Sequence, residues 1–214
     1  MAARHGLEIA GFDTSGITVQ TVQEMADAVD IAVTKYAIAL RGIEIAVGGA
    51  LSRVEDRGSA SSSSSAVSVP AHSPEPWIVI DRAGAADPGL LAVHSRATGS
   101  TLPARPMYAT MMLEFGHVLD LLCGRRAQRE AQRALIAEYL RVSGAKGSNL
   151  GRVVDGYKHW RSQLGSSCFD HRMLSPDRAL AAGFAAVELH GDKASGPAKA
   201  LHRLLVAMAQ LDRH

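Results

Sequence analysis

Cysteine is scarce: the 214 residues hold only Cys123 and Cys168. A disulfide framework is therefore excluded, at most one bridge can form, and both side chains are expected as buried thiols. Aromatic residues make up 5% of the chain, which leaves little surface for stacking on bases. No sign of charge dominates: 23 Lys and Arg stand against 21 Asp and Glu, a formal net charge of +2. Binding to a nucleic-acid backbone needs clustered positive charge, so no nucleic-acid partner is expected. An apolar run of about 18 residues is missing too, so no membrane span is expected. Residues 1–16, MAARHGLEIAGFDTSG, lack the apolar stretch of a standard signal peptide, and a cytoplasmic location is expected, with non-classical export still open. The chain has no Gly-x-Ser-x-Gly elbow, no P-loop and no dinucleotide fingerprint, and the two cysteines lack zinc-site spacing.

What is present is an ordinary globular composition, 47% hydrophobic and 21% charged, enough for a single domain over residues 1–214. Thr21 and Glu24 form a capping-box pattern ahead of Met25, Ala26, Val29 and Val33, which predicts a helix from Thr21 to about Leu40. Alternation at Ile43, Ile45 and Val47 predicts a strand closed by Gly48 and Gly49. Residues 57–76, with the serine run Ser61–Ser65 and three prolines, read as a flexible surface loop. Trp77–Asp81 and Leu90–His94 read as two further strands. After Pro106 the pattern turns helical: Met107–Cys123 closed by Gly124, Ala127–Val142, Leu150–Leu164, a helix opened by Ser175-Pro176-Asp177, and one opened by Gly196-Pro197. Helix, then strands, then helices is an α+β layout. No internal repeat is visible.

The segment Met111-Met112-Leu113-Glu114-Phe115-Gly116-His117-Val118-Leu119-Asp120 comes closest to carrying chemistry. Zinc peptidases use His-Glu-x-x-His on a helix: the two imidazoles lie one turn apart on one face, and the Glu deprotonates the metal-bound water. Glu114 and His117 fit that template, and Leu113 stands in the place of the first His.

With the helix stop at Cys123-Gly124, the run Glu-Phe-Gly-His-x-x-Asp resembles the active-site helix of the gluzincin branch of the zincins. Within it, the run is most similar to the anthrax lethal factor-like peptidase domain and its phage and bacterial relatives. The resemblance spans roughly Ile43 to Leu211 and implies a zincin-like α+β fold, a small sheet over the active-site-type helix followed by a mostly helical half. It implies that Gly116 permits close helix packing, that Glu114 is a vestigial general base, that His117 is the one retained zinc ligand, and that Asp120 is an acceptor steadying the His117 ring. In the later helix of the family the third ligand is a Glu. Here Arg178 falls on that ligand and Ala182 on a second Glu, and His171 falls near the catalytic Tyr.

Zinc hydrolysis needs three protein ligands and a water. Leu113 offers no donor atom, and Arg178 puts a fixed cation where the metal would sit. The expectation is a catalytically inactive zincin-like protein that serves as a binding or structural module for a protein or peptide partner, with no cofactor. Arg178 is then expected to fill the site and pair with Glu114. Two alternatives stand beside this: an active zinc metallopeptidase that recruits other ligands, with His94, His171 and His190 the unassigned imidazoles, and an unrelated α+β interaction protein.

Overall fold

The computed structural model describes residues 2–13, 16–58, 73–97, 104–144 and 149–211, with the backbone alone at 93–97. Most of the loop expected at 57–76 lies outside the described residues. Four strands form one sheet: β1 (Glu8–Ala10), β2 (Gly42–Ala46), β3 (Ser52–Asp56) and β4 (Pro76–Asp81), in the order β1-β2-β4-β3. The first three in that order are parallel, with Ile43 opposite Ile9 and Ile78. β3 runs antiparallel to β4, with Val54 opposite Ile78, and forms one edge of the sheet. A two-stranded ribbon, β5 (Phe169–Asp170) with β6 (Met173–Leu174), lies apart.

A single turn, α1 (Ala2–His5), precedes β1, and between β1 and β2 the chain crosses over through α2 (Val19–Tyr36). Two short helices, α3 (Arg82–Ala86) and α4 (Pro88–Ala97), follow the sheet. The helical half then runs α5 (Pro106–Leu122), α6 (Arg126–Ser143), α7 (Leu150–Arg161), α8 (Pro176–His190) and α9 (Gly196–Leu211). None of the described helices is long and apolar enough to cross a membrane. The core joins Ile43, Ile78 and Ile80 of the sheet to Met25 of α2, Met111 and Phe115 of α5, Phe184 of α8 and Leu205 of α9, all nearly or wholly buried.

Three local expectations are corrected. The N-cap of α2 is Thr18, whose hydroxyl accepts the Thr21 N–H at 3.1 Å. Glu24 caps a different helix. Its Oε2 accepts the N–H groups of Met107 and Tyr108 at 3.0 and 3.2 Å, so a buried carboxylate of α2 caps α5 from 83 residues away. Leu90–His94 belongs to α4 rather than to a strand. Asp87-Pro88 places Pro at the first helical position, a start signal that outweighs a short apolar run.

Other signals hold. α5 ends in a Schellman turn: Gly124 N–H donates to Leu121 O and Arg125 N–H to Asp120 O, both at 2.9 Å, with Gly124 at φ +58°. Pro176 opens α8 behind Ser175. Cys123 and Cys168 are both buried and not joined to each other.

Candidate functional site

α5 is buried almost all round; only Leu113 and His117, one turn apart, are half-buried in its middle. That pair occupies the face where the His-Glu-x-x-His template sets its imidazoles. Gly116 lies on the adjoining side, against α8: a Cβ there would stand 2.7 Å from the Ala181 Cα. The two helices thus touch backbone to backbone, and α8 is held where its own residues face Leu113 and His117.

Two adjoining hollows open on this face. The larger, about 670 Å³, has Leu113, Glu114 and His117 on one wall and Arg178, Ala182, Ala186 and His190 of α8 on another. The smaller, about 520 Å³, runs from Ser52, Arg53 and Val54 of β3 past Glu114 and His117 to Asp120 and Asp177. Ser52, Glu114, His117 and Arg178 belong to both. The residues that the sequence singled out at 113, 114, 117 and 178 therefore meet in one cleft, with edge strand β3 along its rim.

Glu114 is 3% exposed, and the Ser52 hydroxyl donates to its Oε1 at 2.5 Å. Nothing in the sequence pointed to Ser52: the contact spans 62 residues and depends on β3, a polar strand without clear alternation. Arg178 does not take the position expected of it. Its guanidinium pairs with Asp170, at the hairpin between β5 and β6, and its Nε donates to Ser175 Oγ at 3.0 Å. Ser175 in turn donates to Asp177 Oδ1 at 2.6 Å. Asp170 lies close along the chain, and this local acceptor wins over Glu114 on the far wall.

Asp120 is 4% exposed. Its Oδ2 accepts from Gln128 at 2.5 Å, and Oδ1 has no hydrogen-bond partner among the described residues. The expected bond from the His117 ring is not made; the turn at Gly124-Arg125 brings Gln128 of α6 back over the end of α5 instead. Burial lifts the Asp120 carboxyl above its ordinary range, against the pull of Gln128, His117 and Arg125. Asp177, across the hollow, shows the opposite balance. Burial raises it, but the Ser175 hydroxyl, the Arg178 backbone N–H and the His117 and Arg178 charges together hold it below its ordinary value.

His171 sits at the tight turn between β5 and β6, exposed, with φ +47° followed by +70° at Arg172. It lines neither hollow. His190 lines the larger hollow at its far end, and His94 lies on α4.

The side chains present do not fit a zinc ion held by the family's ligand set. Leu113 has no donor atom, Arg178 is a cation already paired with a carboxylate, and Ala182 is a methyl group. Among the described residues no group of three or more His, Cys, Asp or Glu is arranged to hold a metal ion. The chain matches no family model, no curated protein and no solved structure. The cleft alone therefore carries the functional reading.

Proposed function

We propose that the chain is a zincin-like protein whose cleft binds an extended polypeptide segment without hydrolysing it. The observation that carries this reading is the cleft between α5 and α8, where Glu114 and His117 are joined by Leu113 and Arg178, neither of which can donate to a metal. Glu114 without a metal has no water of lowered pKa to deprotonate, and its Oε1 is engaged by Ser52. The resemblance to the lethal factor-like peptidases supports a zincin-like fold, and the side chains at 113 and 178 support a site without that chemistry.

Edge strand β3 supports an extended ligand. One edge of β3 pairs with β4, and the other carries no strand among the described residues. Such an edge accepts a further strand through its backbone N–H and C=O groups. Ser52, Arg53, Val54 and Asp56 of β3 border the smaller hollow, so a segment paired to β3 would lie along the cleft mouth.

The test is elemental analysis and peptide cleavage on protein purified without added zinc. Well under one zinc per chain is expected, with cleavage no greater than in Glu114→Gln. A stoichiometric, chelator-resistant zinc, or cleavage that Glu114→Gln abolishes, overturns the proposal in favour of an active metallopeptidase with recruited ligands.

A further inference from the structure

The larger hollow is a groove rather than a pit. Arg178, Ala182, Ala186 and His190 stand four residues apart on α8 and all line it. At 1.5 Å per residue this row is about 18 Å long, the span of about five or six extended residues. The middle of this row is small and apolar, Ala182 and Ala186, and Leu113 and Leu164 also line the groove. Ala182 is half-buried against the core and Ala186 is half-buried, and the closest packing of α8 lies elsewhere. That contact is made by Ala181, against Gly116, and by Gly183, where an added Cβ would stand 3.1 Å from the Leu201 Cβ.

The far end is basic. His190 and Lys193 line it, both exposed, and neither side chain makes a hydrogen bond or ion pair with another described residue. Glu188 is turned to the opposite side of α8, where Lys35, Tyr36 and His202 hold it, and Asp192 does not line the groove. The near end differs in kind: Arg178 is matched by Asp170, and Glu114 and Asp177 line the hollow with His117. Lys193 is therefore a groove cation that makes no ion pair with a carboxylate among the described residues.

We infer that the groove along α8 takes an extended segment with small or apolar residues at its middle and an acidic side chain, Asp or Glu, over Lys193 and His190. This rests on the reading of the cleft as a peptide site and adds what the site selects. A side chain fits better than a chain terminus because the end is open: both basic residues are exposed, so the segment can run past them.

The experiment selects peptides from a random seven-residue library on the full chain, then measures anisotropy of the enriched, dye-labelled peptide with variants. An Asp or Glu is expected at one position, next to small or apolar residues. Lys193→Ala should weaken the enriched peptide about two- to fivefold, the range of an exposed ion pair. It should leave the Asp→Asn or Glu→Gln form of that peptide unchanged, and Lys193→Glu should reverse the preference. Ala186→Phe, which fills the groove, should abolish binding; Ala182→Leu serves if that variant does not fold. Enriched peptides without an acid, an acid indifferent to Lys193→Glu, or a requirement for a free C-terminal carboxylate overturns this inference and leaves the peptide-binding reading standing. No enrichment, or binding undiminished by both groove-filling variants, overturns both.

Discussion

Replacing Glu188 by Gln keeps the shape of the side chain and removes its charge. The carboxylate is 4% exposed. Its Oε1 accepts from the Tyr36 hydroxyl at 2.5 Å and from Lys35 Nζ at 2.9 Å, and His202 Nε2 lies 3.3 Å away. A proton on that nitrogen serves Tyr36 Oη as well, at 3.0 Å. Phe184 stacks on the His202 ring at 5.4 Å and closes the cluster. Burial pushes the Glu188 carboxyl up, but His202, Tyr36 and Lys35 outweigh it and bring it from 4.5 down to about 2. The same contact drives Tyr36 the other way: burial and the Glu188 carboxylate hold its hydroxyl protonated. At about 1.4 kcal/mol per pH unit the lowering of Glu188 is worth about 3 kcal/mol. Lys35 is 55% exposed, and its share is screened by solvent, so about 2–3 kcal/mol is expected. Because the folded pKa is depressed, this stabilisation is complete above pH 4.5 and is lost as the pH falls towards about 2. Urea unfolding of both proteins at pH 7, 4.5 and 2.5 measures it. Glu188→Gln should cost about 2–3 kcal/mol at pH 7 with the urea slope unchanged, and the gap should close towards pH 2.5. A gap under about 0.5 kcal/mol at neutral pH, the size of an ordinary surface change, or one that does not narrow in acid, would refute the account.

Gly116→Ala should destabilise by about 1–2 kcal/mol, overpacking against Ala181 being only partly offset by the better helix propensity of Ala; thermal unfolding checks it, and a stabilised variant would show that α5 and α8 can separate freely. Arg178→Ala should cost about 0.5–1 kcal/mol, since its pair with Asp170 is partly exposed. Its combination with Glu114→Gln should be additive within about 0.5 kcal/mol; coupling above about 1 kcal/mol in chemical denaturation would mean that Arg178 pairs with Glu114 in solution after all. Leu113→His alone should take up no zinc in equilibrium dialysis, because Arg178 still faces the site; stoichiometric zinc in that single variant would show that Leu113 was the whole obstacle.

The helical half was legible because its signals are local. Pro106, the Gly124 turn, Ser175-Pro176 and Gly196-Pro197 mark helix ends whatever surrounds them, and the spacing of Leu113, Glu114 and His117 alone dictates that they share a cleft wall once α5 forms. The sheet was half legible. β2 and β4 are apolar and alternate or run continuously, but β1 has three residues and β3 reads Ser-Arg-Val-Glu-Asp, and neither rises above loop. Leu90–His94 misled because a short apolar run has no period of its own. What sequence spacing does not carry is partner choice. Ser52 for Glu114, Asp170 for Arg178, Gln128 for Asp120 and the helix α5 for Glu24 are each decided by which element passes nearby, a matter of tertiary path.

α8 divides its tolerance for change by face. Gly116 and Ala181 leave no room for growth on one side, nor do Gly183 and Leu201 on another, so drift at those positions distorts the bundle. Ala182 and Ala186 line the groove, and Ala186 above all can lengthen or branch into the space that a guest would fill. Lineages of this fold are therefore free to change what they hold while keeping how they are held together, and variation between them should collect every fourth residue along a single helix.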